Sequence, residues 1–339
     1  MNNRYSRQRL FKPIGDEGQR KLEKAAVAVI GCGALGSAIA ETLARAGVGH
    51  LHLVDRDVVE PSNLQRQQLF HERHAEEAVP KVAAAAQRLR EIRSDMQLSL
   101  YMDHADGIVI EQLASKCDLL MDAADNFETR FLINDAAYKY NRPWIYGACA
   151  GGAGAVFPFV PGTSACLSCL LPALPSFNDT CDTAGIIGPA AQTTAALQCA
   201  EALKWLTGNG QALMKKVHHF DLWSNTRLDI GIGRIKRTDC PTCGERPSYP
   251  ALSTTSQMKC TLLCGRDTVQ IIPDRQRIVA LDAVEQAERL ADAIVRRTPY
   301  FLELQIGEHR IILFENGRVL IHGLKDVHQG RKLYRQLFG

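Results

Sequence analysis

Apolar residues in the first half of the chain come in short unbroken runs, separated by longer stretches of helical spacing. Residues 26–31 form one such run, helical spacing covers 34–46, and residues 51–55 form the next run. A run that is apolar at successive positions predicts a strand buried on both faces, as in parallel sheets. The alternation continues with a helix over 81–92, strands over 97–102 and 118–122, a helix over 126–140 and a strand over 144–148. Strand, glycine turn, helix and strand within about thirty residues make a βαβ unit with a right-handed crossover. The pattern predicts an α/β fold, a doubly wound Rossmann-like sheet that is mainly parallel and covered by helices on both faces.

After residue 151 the texture changes. Residues 157–190 are rich in proline, glycine, serine and cysteine and read as a long crossover loop. A helix over 190–206 comes next, ended by Gly208-Asn209-Gly210, and strands are expected at 217–221 and 226–232. This first domain spans 1–248. Residues 249–258 read as a linker and 259–339 as a small α+β domain whose role the sequence does not give. Its expected strands are 267–272, 301–305, 311–314 and 318–322, and its expected helices 280–296 and 326–337. Asn316-Gly317, between two apolar runs, marks a two-residue hairpin.

Composition narrows the class. A hydrophobic fraction of 46% and a charged fraction of 23% are those of an ordinary globular protein. The first eight residues are polar and basic, without a secretory signal, and the longest apolar stretch, 148–160, is broken by glycine and proline. A soluble, cytoplasmic protein with no membrane association is expected. The formal charge is 40 − 37 = +3 with no basic run, which argues against a nucleic-acid partner. Eleven cysteines in a chain without an export signal favour metal or thiol chemistry over disulfides.

Gly31-Cys32-Gly33-Ala34-Leu35-Gly36 matches GxGxxG between a strand and a helix. Gly31, Gly33 and Gly36 permit a tight turn, close approach to phosphate and close helix packing, and the helix opening at Ala34 offers free N–H groups to an anion. Asp55, nineteen residues after Gly36, stands where a ribose-binding acid belongs. These features alone fit an NAD-dependent oxidoreductase equally well. The segments beyond Asp55 break the tie. Residues 62–67 bring Asn63 and Arg66, Lys81 opens the next helix, and Asp122-Ala123-Ala124-Asp125-Asn126 comes after the fourth strand. A carboxylate attacking the α-phosphorus of ATP needs cations on the triphosphate and a metal on the leaving pyrophosphate. Arg66 and Lys81 suit the first need, and Asp125 holding Mg²⁺ suits the second. Taken singly, Lys81 also reads as a solvated helix start and Arg66 as a surface ion-pair residue. Asp122, Asp125 and Asn126 also read as helix caps.

Arg4-Tyr5-Ser6-Arg7-Gln8, GCGALGS (31–37), VDRDVVEPSNLQRQ (54–67), Pro80-Lys81, DAADNFETR (122–130) and TCDTAGIIGP (180–189) together resemble the ThiF/MoeB family of bacterial adenylyltransferases, relatives of the ubiquitin-activating enzymes. The resemblance implies that Gly33, Asp55, Asp57, Asn63, Arg66, Lys81 and Asp125 occupy ATP-site positions. It also implies a homodimer in which Arg7 reaches the active site of the partner subunit. The implied substrate is a ubiquitin-like sulfur-carrier protein ending in Gly-Gly, whose tail passes beneath the crossover loop. The products would be the carrier acyl-adenylate and pyrophosphate. The short C-terminal module resembles that of Bacillus-type ThiF and MoeB proteins. It leans the reading toward a ThiS carrier and thiamin-thiazole synthesis, with a MoaD carrier and molybdopterin as the alternative. Having no rhodanese domain, the chain would need a separate sulfur donor.

Cys166, Cys169, Cys240 and Cys243 form two CxxC pairs, enough for a closed tetrahedral Zn²⁺ site that clamps the crossover loop to the end of the domain. Cys181 lies in the crossover loop where family members can carry a reactive cysteine, and an accessible thiol there suits a covalent link to the carrier tail. Adenylation itself needs no such thiol. Cys260 and Cys264 read as part of a strand and turn in the small domain. Cys32, Cys117, Cys149 and Cys199 read as small core residues.

Overall fold

The computed structural model describes residues 3–171, 185–253, 259–262, 267–273, 281–286, 290 and 292–338. Cys181 and Cys264 lie outside these. The chain divides into two compact units, Met1–Thr254 and Thr255–Gly339.

The first unit is built on eight strands. They are β1 (Ala26–Ile30), β2 (His50–Val54), β3 (Gln97–Tyr101), β4 (Leu119–Asp122), β5 (Trp144–Ala150), β6 (Ala153–Phe159), β7 (Lys216–Asp221) and β8 (Thr226–Gly231), in the sheet order β3-β2-β1-β4-β5-β6-β7-β8. β1 to β5 pair parallel, and β6, β7 and β8 add on antiparallel. The order reverses between β1 and β4, which opens a crevice at the carboxyl ends of both strands. The core below it centres on Ile30, Leu120, Trp144, Phe157 and Phe159, with the Trp144 and Phe159 rings stacked at 4.7 Å. The Ala34–Ala46 helix packs against the Gly188–Leu206 helix. Small buried residues such as Gly36, Ser37, Ala40, Ala191 and Ala195 let the two approach closely.

Three expectations need correction here. Strand β6 occupies the beginning of the stretch expected to be loop. Its glycine turn, Gly151-Gly152, and Pro158 read as loop signals. Yet Gly151, with φ +57°, makes the two-residue hairpin from β5, and Pro158 lies beyond the residues that pair with β7, so its missing N–H costs no bond on that side. The sheet is not covered throughout, because all six residues of β8 are exposed. The expected linker begins inside the first unit: the Pro250–Ser253 turn is fixed by Ala251 N–H donating to Asp135 Oδ2 at 2.9 Å, and Leu252 packs on the core.

The second unit holds a six-stranded antiparallel sheet, β9 (Lys259–Leu262), β10 (Thr268–Ile272), β11 (Ile294–Arg297), β12 (Phe301–Ile306), β13 (His309–Phe314) and β14 (Val319–His322), in the order β11-β12-β13-β14-β10-β9. Of the helix expected over 280–296, the described residues are helical at Leu281–Glu285 and again at 290, and residues 294–297 instead pair with β12. The β-branched Ile294-Val295 favours that edge strand over a helix end. Strand β9 carries Cys260, as expected. The hairpin marked by Asn316-Gly317 joins β13 to β14 through three residues, 315–317, rather than two: Phe314 N–H donates to Arg318 O at 2.9 Å, and Gly317 has φ +76°. The final helix is Val327–Phe338. Among the described residues, no helix is long and apolar enough to cross a membrane.

Candidate functional site

The crevice is lined by the loops that leave β1, β2 and β4. At the first, Gly31 and Gly36 are demanded by the fold itself. Gly31 has φ +95°, where a Cβ would lie 2.4 Å from the Ala123 carbonyl oxygen, and a Cβ on Gly36 would lie 1.9 Å from that of Gly31. Gly33 differs. A Cβ there would meet only Gln67 Nε2, at 3.8 Å, so the space over the start of the Ala34–Ala46 helix is open. Gly33 caps that helix without a side chain, which leaves its N-terminal N–H groups for an incoming anion.

Asp55, just past the end of β2, fastens this turn. One carboxylate oxygen accepts from Cys32 N–H at 2.7 Å and the other from Asp57 N–H at 2.7 Å. Lys81 Nζ lies 3.2 Å from Asp57 Oδ2, and its backbone N–H donates to Asp57 O at 2.9 Å. Only 8% of Lys81 is exposed. Burial works against its charge, but Asp55, Asp57 and, more weakly, Asp125 outweigh it and hold the ammonium above its ordinary pKa. Lys81 is therefore no solvated helix start. It is a buried cation fixed between two acids at the mouth of the crevice.

The loop after β4 is locked from within. Asp122 is fully buried, with Oδ1 accepting from Ala124 N–H at 2.9 Å and Oδ2 facing Arg130 Nε at 3.1 Å. Arg130 Nη2 donates to Ala124 O at 2.8 Å and to Gly147 O at 3.2 Å. Asn126, not Asp122, caps the Phe127–Lys139 helix, its Oδ1 accepting from Thr129 N–H at 2.8 Å. Asp125 stays exposed and accepts from Asn126 Nδ2 at 2.8 Å. The loop thus presents one solvent-facing carboxylate on a rigid base.

Arg66 is half-buried, with Nη1 donating to Ser62 O at 2.9 Å across a short turn. Asn63, expected at the nucleotide, is 5% exposed, and its Oδ1 accepts from Glu60 N–H at 3.1 Å to close that turn. Arg7 does not join the group. It is exposed on the short Ser6–Leu10 helix, whose Gln8 Nε2 donates to Ala46 O at 2.8 Å. Ala46 ends the 13-residue helix that Gly33 begins, a span of about 20 Å.

The four cysteines of the two CxxC pairs meet, with every sulfur within 4.8 Å of the others and Cys166–Cys240 and Cys169–Cys243 at 3.5 Å. Zinc–sulfur bonds of about 2.3 Å place tetrahedral sulfurs about 3.8 Å apart, so the set fits zinc. Asn134 and Asp135, adjacent on the Phe127–Lys139 helix, grip both pairs. Asn134 Oδ1 accepts from Leu167 N–H at 3.0 Å and Asp135 Oδ1 from the Thr242 hydroxyl at 2.5 Å. Cys32, Cys117 and Cys199 are buried as expected, while Cys149 is half-buried.

Sequence reasoning missed Gln198, whose buried amide donates to Asp122 O at 2.7 Å. Thr194, Gln198 and Glu201, all buried, fall on one helical face at spacings of four and three. A polar stripe within the apolar Gly188–Leu206 helix was the available signal.

Comparison with known proteins agrees with this architecture. Residues 5–242 match the model of the ThiF family. The sulfur carrier protein ThiS adenylyltransferase of Bacillus subtilis is 45% identical over 340 residues, covering 100% of both chains. A sulfur carrier protein adenylyltransferase of Thermus thermophilus is 35% identical over 257 residues, covering 74% of this chain and 93% of that one. The crystal structure of E. coli MccB with MccA-N7isoASN shares the fold, with a TM-score of 0.63 over 72% of this chain and 76% of that one at 23% identity. By the family match and by full-length similarity, the chain belongs to the ThiF family.

Proposed function

We propose that this protein uses ATP to adenylate the C-terminal glycine carboxylate of a ubiquitin-like sulfur carrier of the ThiS type. One observation carries the reading: Lys81 is buried between Asp55 and Asp57 beside the open Gly33 turn, with Asp125 presented from the neighbouring loop. A hydride-transfer site has no use for that set. The triphosphate lies over the Gly33 turn, where Lys81 and Arg66 offset its charge, and Asp125 would hold a Mg²⁺ ion that would supply charge stabilisation for the leaving pyrophosphate. The carrier carboxylate oxygen attacks the α-phosphorus, and the bond to the oxygen bridging α and β breaks. No protein thiol enters this step, so any role of Cys181 belongs to later sulfur transfer. A separate protein supplies the sulfur.

The test is carrier-dependent exchange of labelled pyrophosphate into ATP, run with purified ThiS-type and MoaD-type carriers. Exchange with ThiS supports the reading, exchange with MoaD alone reassigns the carrier, and exchange with neither sinks both. The 45% full-length identity to a ThiS adenylyltransferase favours ThiS.

Arg7 sits at the far end of the nucleotide helix from Gly33, so a role in catalysis requires a second subunit. Leu10, on the same short helix as Arg7, and Phe11, just past its end, are 70% and 61% exposed and form the apolar surface a partner would cover. Mixing Arg7→Ala with Asp125→Ala protein is expected to restore about a quarter of wild-type exchange, since half the dimers would be mixed, with one complete site each. No recovery on mixing, with mixed dimers demonstrated, would remove Arg7 from the partner's site.

The four-cysteine cluster is proposed to hold one structural zinc. Cys240→Ser is expected to lower bound zinc, measured by elemental analysis, from one per chain toward zero and to lower the melting temperature by about 5 °C or more. Wild-type protein purified without chelators yet free of zinc would refute the assignment.

A further inference from the structure

β4 and β5 share only two paired positions, Leu120 with Trp144 and Met121 with Ile145, and then part. The amide of Gln198 fills the gap: Nε2 donates to Asp122 O at 2.7 Å and to Ile145 O at 3.1 Å. It fits because residue 147 is glycine. A Cβ at Gly147 would lie 2.2 Å from Gln198 Cδ and 2.4 Å from Nε2. The other end of the amide is revealing. Among the described residues, the buried Gln198 Oε1 has no hydrogen-bond partner, a cost that a hydrophobic side chain of similar size would avoid. Packing alone does not explain a glutamine here. Its donor does.

That donor acts on the loop that carries Asp125. The Asp122 carbonyl is held by Gln198, Ala124 N–H by the Asp122 carboxylate, the Ala124 carbonyl by Arg130, and Ala123 N–H by Ile30 O at 2.9 Å. The same helix also reaches the other arm of the crevice. Gln192 Nε2 donates to Gln68 Oε1 at 2.5 Å, two residues past Arg66, and Gln68 Nε2 donates to Glu41 Oε2 at 2.9 Å on the nucleotide helix. The Gly188–Leu206 helix therefore ties the arginine arm through residue 192 and the aspartate arm through residue 198.

We propose that Gln198 is a positioning residue for adenylation: seated in the slot left by Gly147, its amide joins the parting ends of β4 and β5 and sets where Asp125 stands relative to the triphosphate. The proposal rests on the ATP-dependent reading above, so its test reads nucleotide binding directly, without a carrier. In calorimetric titrations with MgATP, Gln198→Met, which keeps the volume and loses the donor, is expected to weaken binding about tenfold and to raise the Mg²⁺ concentration needed for half-saturation. Unchanged ATP affinity and Mg²⁺ dependence in a folded Gln198→Met protein overturn the proposal.

A packing role is separated by a second pair of variants. Gly147→Ala forces its Cβ into the amide and is expected to lower both the melting temperature and the ATP affinity. Gly147→Ala with Gln198→Ala removes the clash, and is expected to recover melting temperature relative to the single Gly147→Ala protein without recovering affinity. Affinity returning together with melting temperature assigns Gln198 to packing alone and overturns the proposal. Wild-type protein that fails to bind MgATP defeats the proposal and the ATP reading together. Wild-type protein that binds MgATP but charges no carrier defeats only the carrier assignment.

Discussion

Asp125→Ala protein is expected to lose about a hundred- to a thousandfold of the carrier-dependent pyrophosphate exchange while melting within a degree or two of wild type, the scale seen when one preorganised electrostatic group is removed from a reacting centre. The two halves of that expectation have separate physical grounds. Asp125 is exposed, and the bond it accepts from Asn126 is a surface contact, so folding depends little on it. Its carboxylate is nonetheless the solvent-facing charge on a loop whose neighbouring polar groups are committed to holding that loop still. Asp125→Asn keeps the shape and the Asn126 contact and removes the charge, so it should be nearly as inactive as the alanine protein. Retention of most exchange activity by either variant would take Asp125 out of the mechanism.

At Asp122, on the strand end that opens the same loop, the expectation inverts. Asp122→Ala should lower the stability of the first unit by about 3–5 kcal/mol, because it leaves the Arg130 guanidinium buried without its counter-charge. Asp122 is fully buried and Arg130 nearly so, at 3.1 Å, and the Asp122 carboxylate also accepts from Ala124 and Gly147 N–H groups. Arg130 stacks over the Phe127 and Tyr146 rings at 5.1 and 5.3 Å, so it cannot swing to solvent without losing those faces. By the usual scaling of about 2–4 °C per kcal/mol for units of this size, the melting temperature should fall by about 6–20 °C. Thermal melts followed by circular dichroism measure it. A loss below about 1 kcal/mol would mean that the pair is not the base of the loop.

The sequence carried some of this site clearly. GxGxxG between a β-strand and a helix pointed to a phosphate-binding turn, and Lys81 and Asp125 stood at the starts of elements where the crevice would open. Two CxxC pairs pointed to a shared metal because two such knuckles supply the four thiolates of a closed tetrahedral site. Less legible were features in which polar and apolar signals mislead. β6 looked like loop because a glycine turn and a proline punctuate it, and the helix expected over 280–296 gives way at its end to an edge strand. Asn63 was expected to face nucleotide, whereas its carboxamide closes the turn that displays Arg66. In each case the competing signal is local, and the pairing partner that decides it comes from the folded arrangement.

What the sequence determined by itself is the order of strands β1 to β5, the placement of the glycine turn and the identity of the charged groups. Those arise from periodicity and from backbone needs of single residues, which neighbours in the chain express. Only the tertiary structure decided which charges share a site. Lys81 meets Asp57 across 24 positions, Cys166 meets Cys240 across 74, and Gln198 reaches Asp122 across 76. It alone also showed that Gly31 and Gly36 serve the fold while Gly33 leaves room for a ligand, and that Arg7 stands too far from the turn to act within its own chain. Burial and distance make those distinctions, because a charge or a missing side chain acquires its energy from what surrounds it in space.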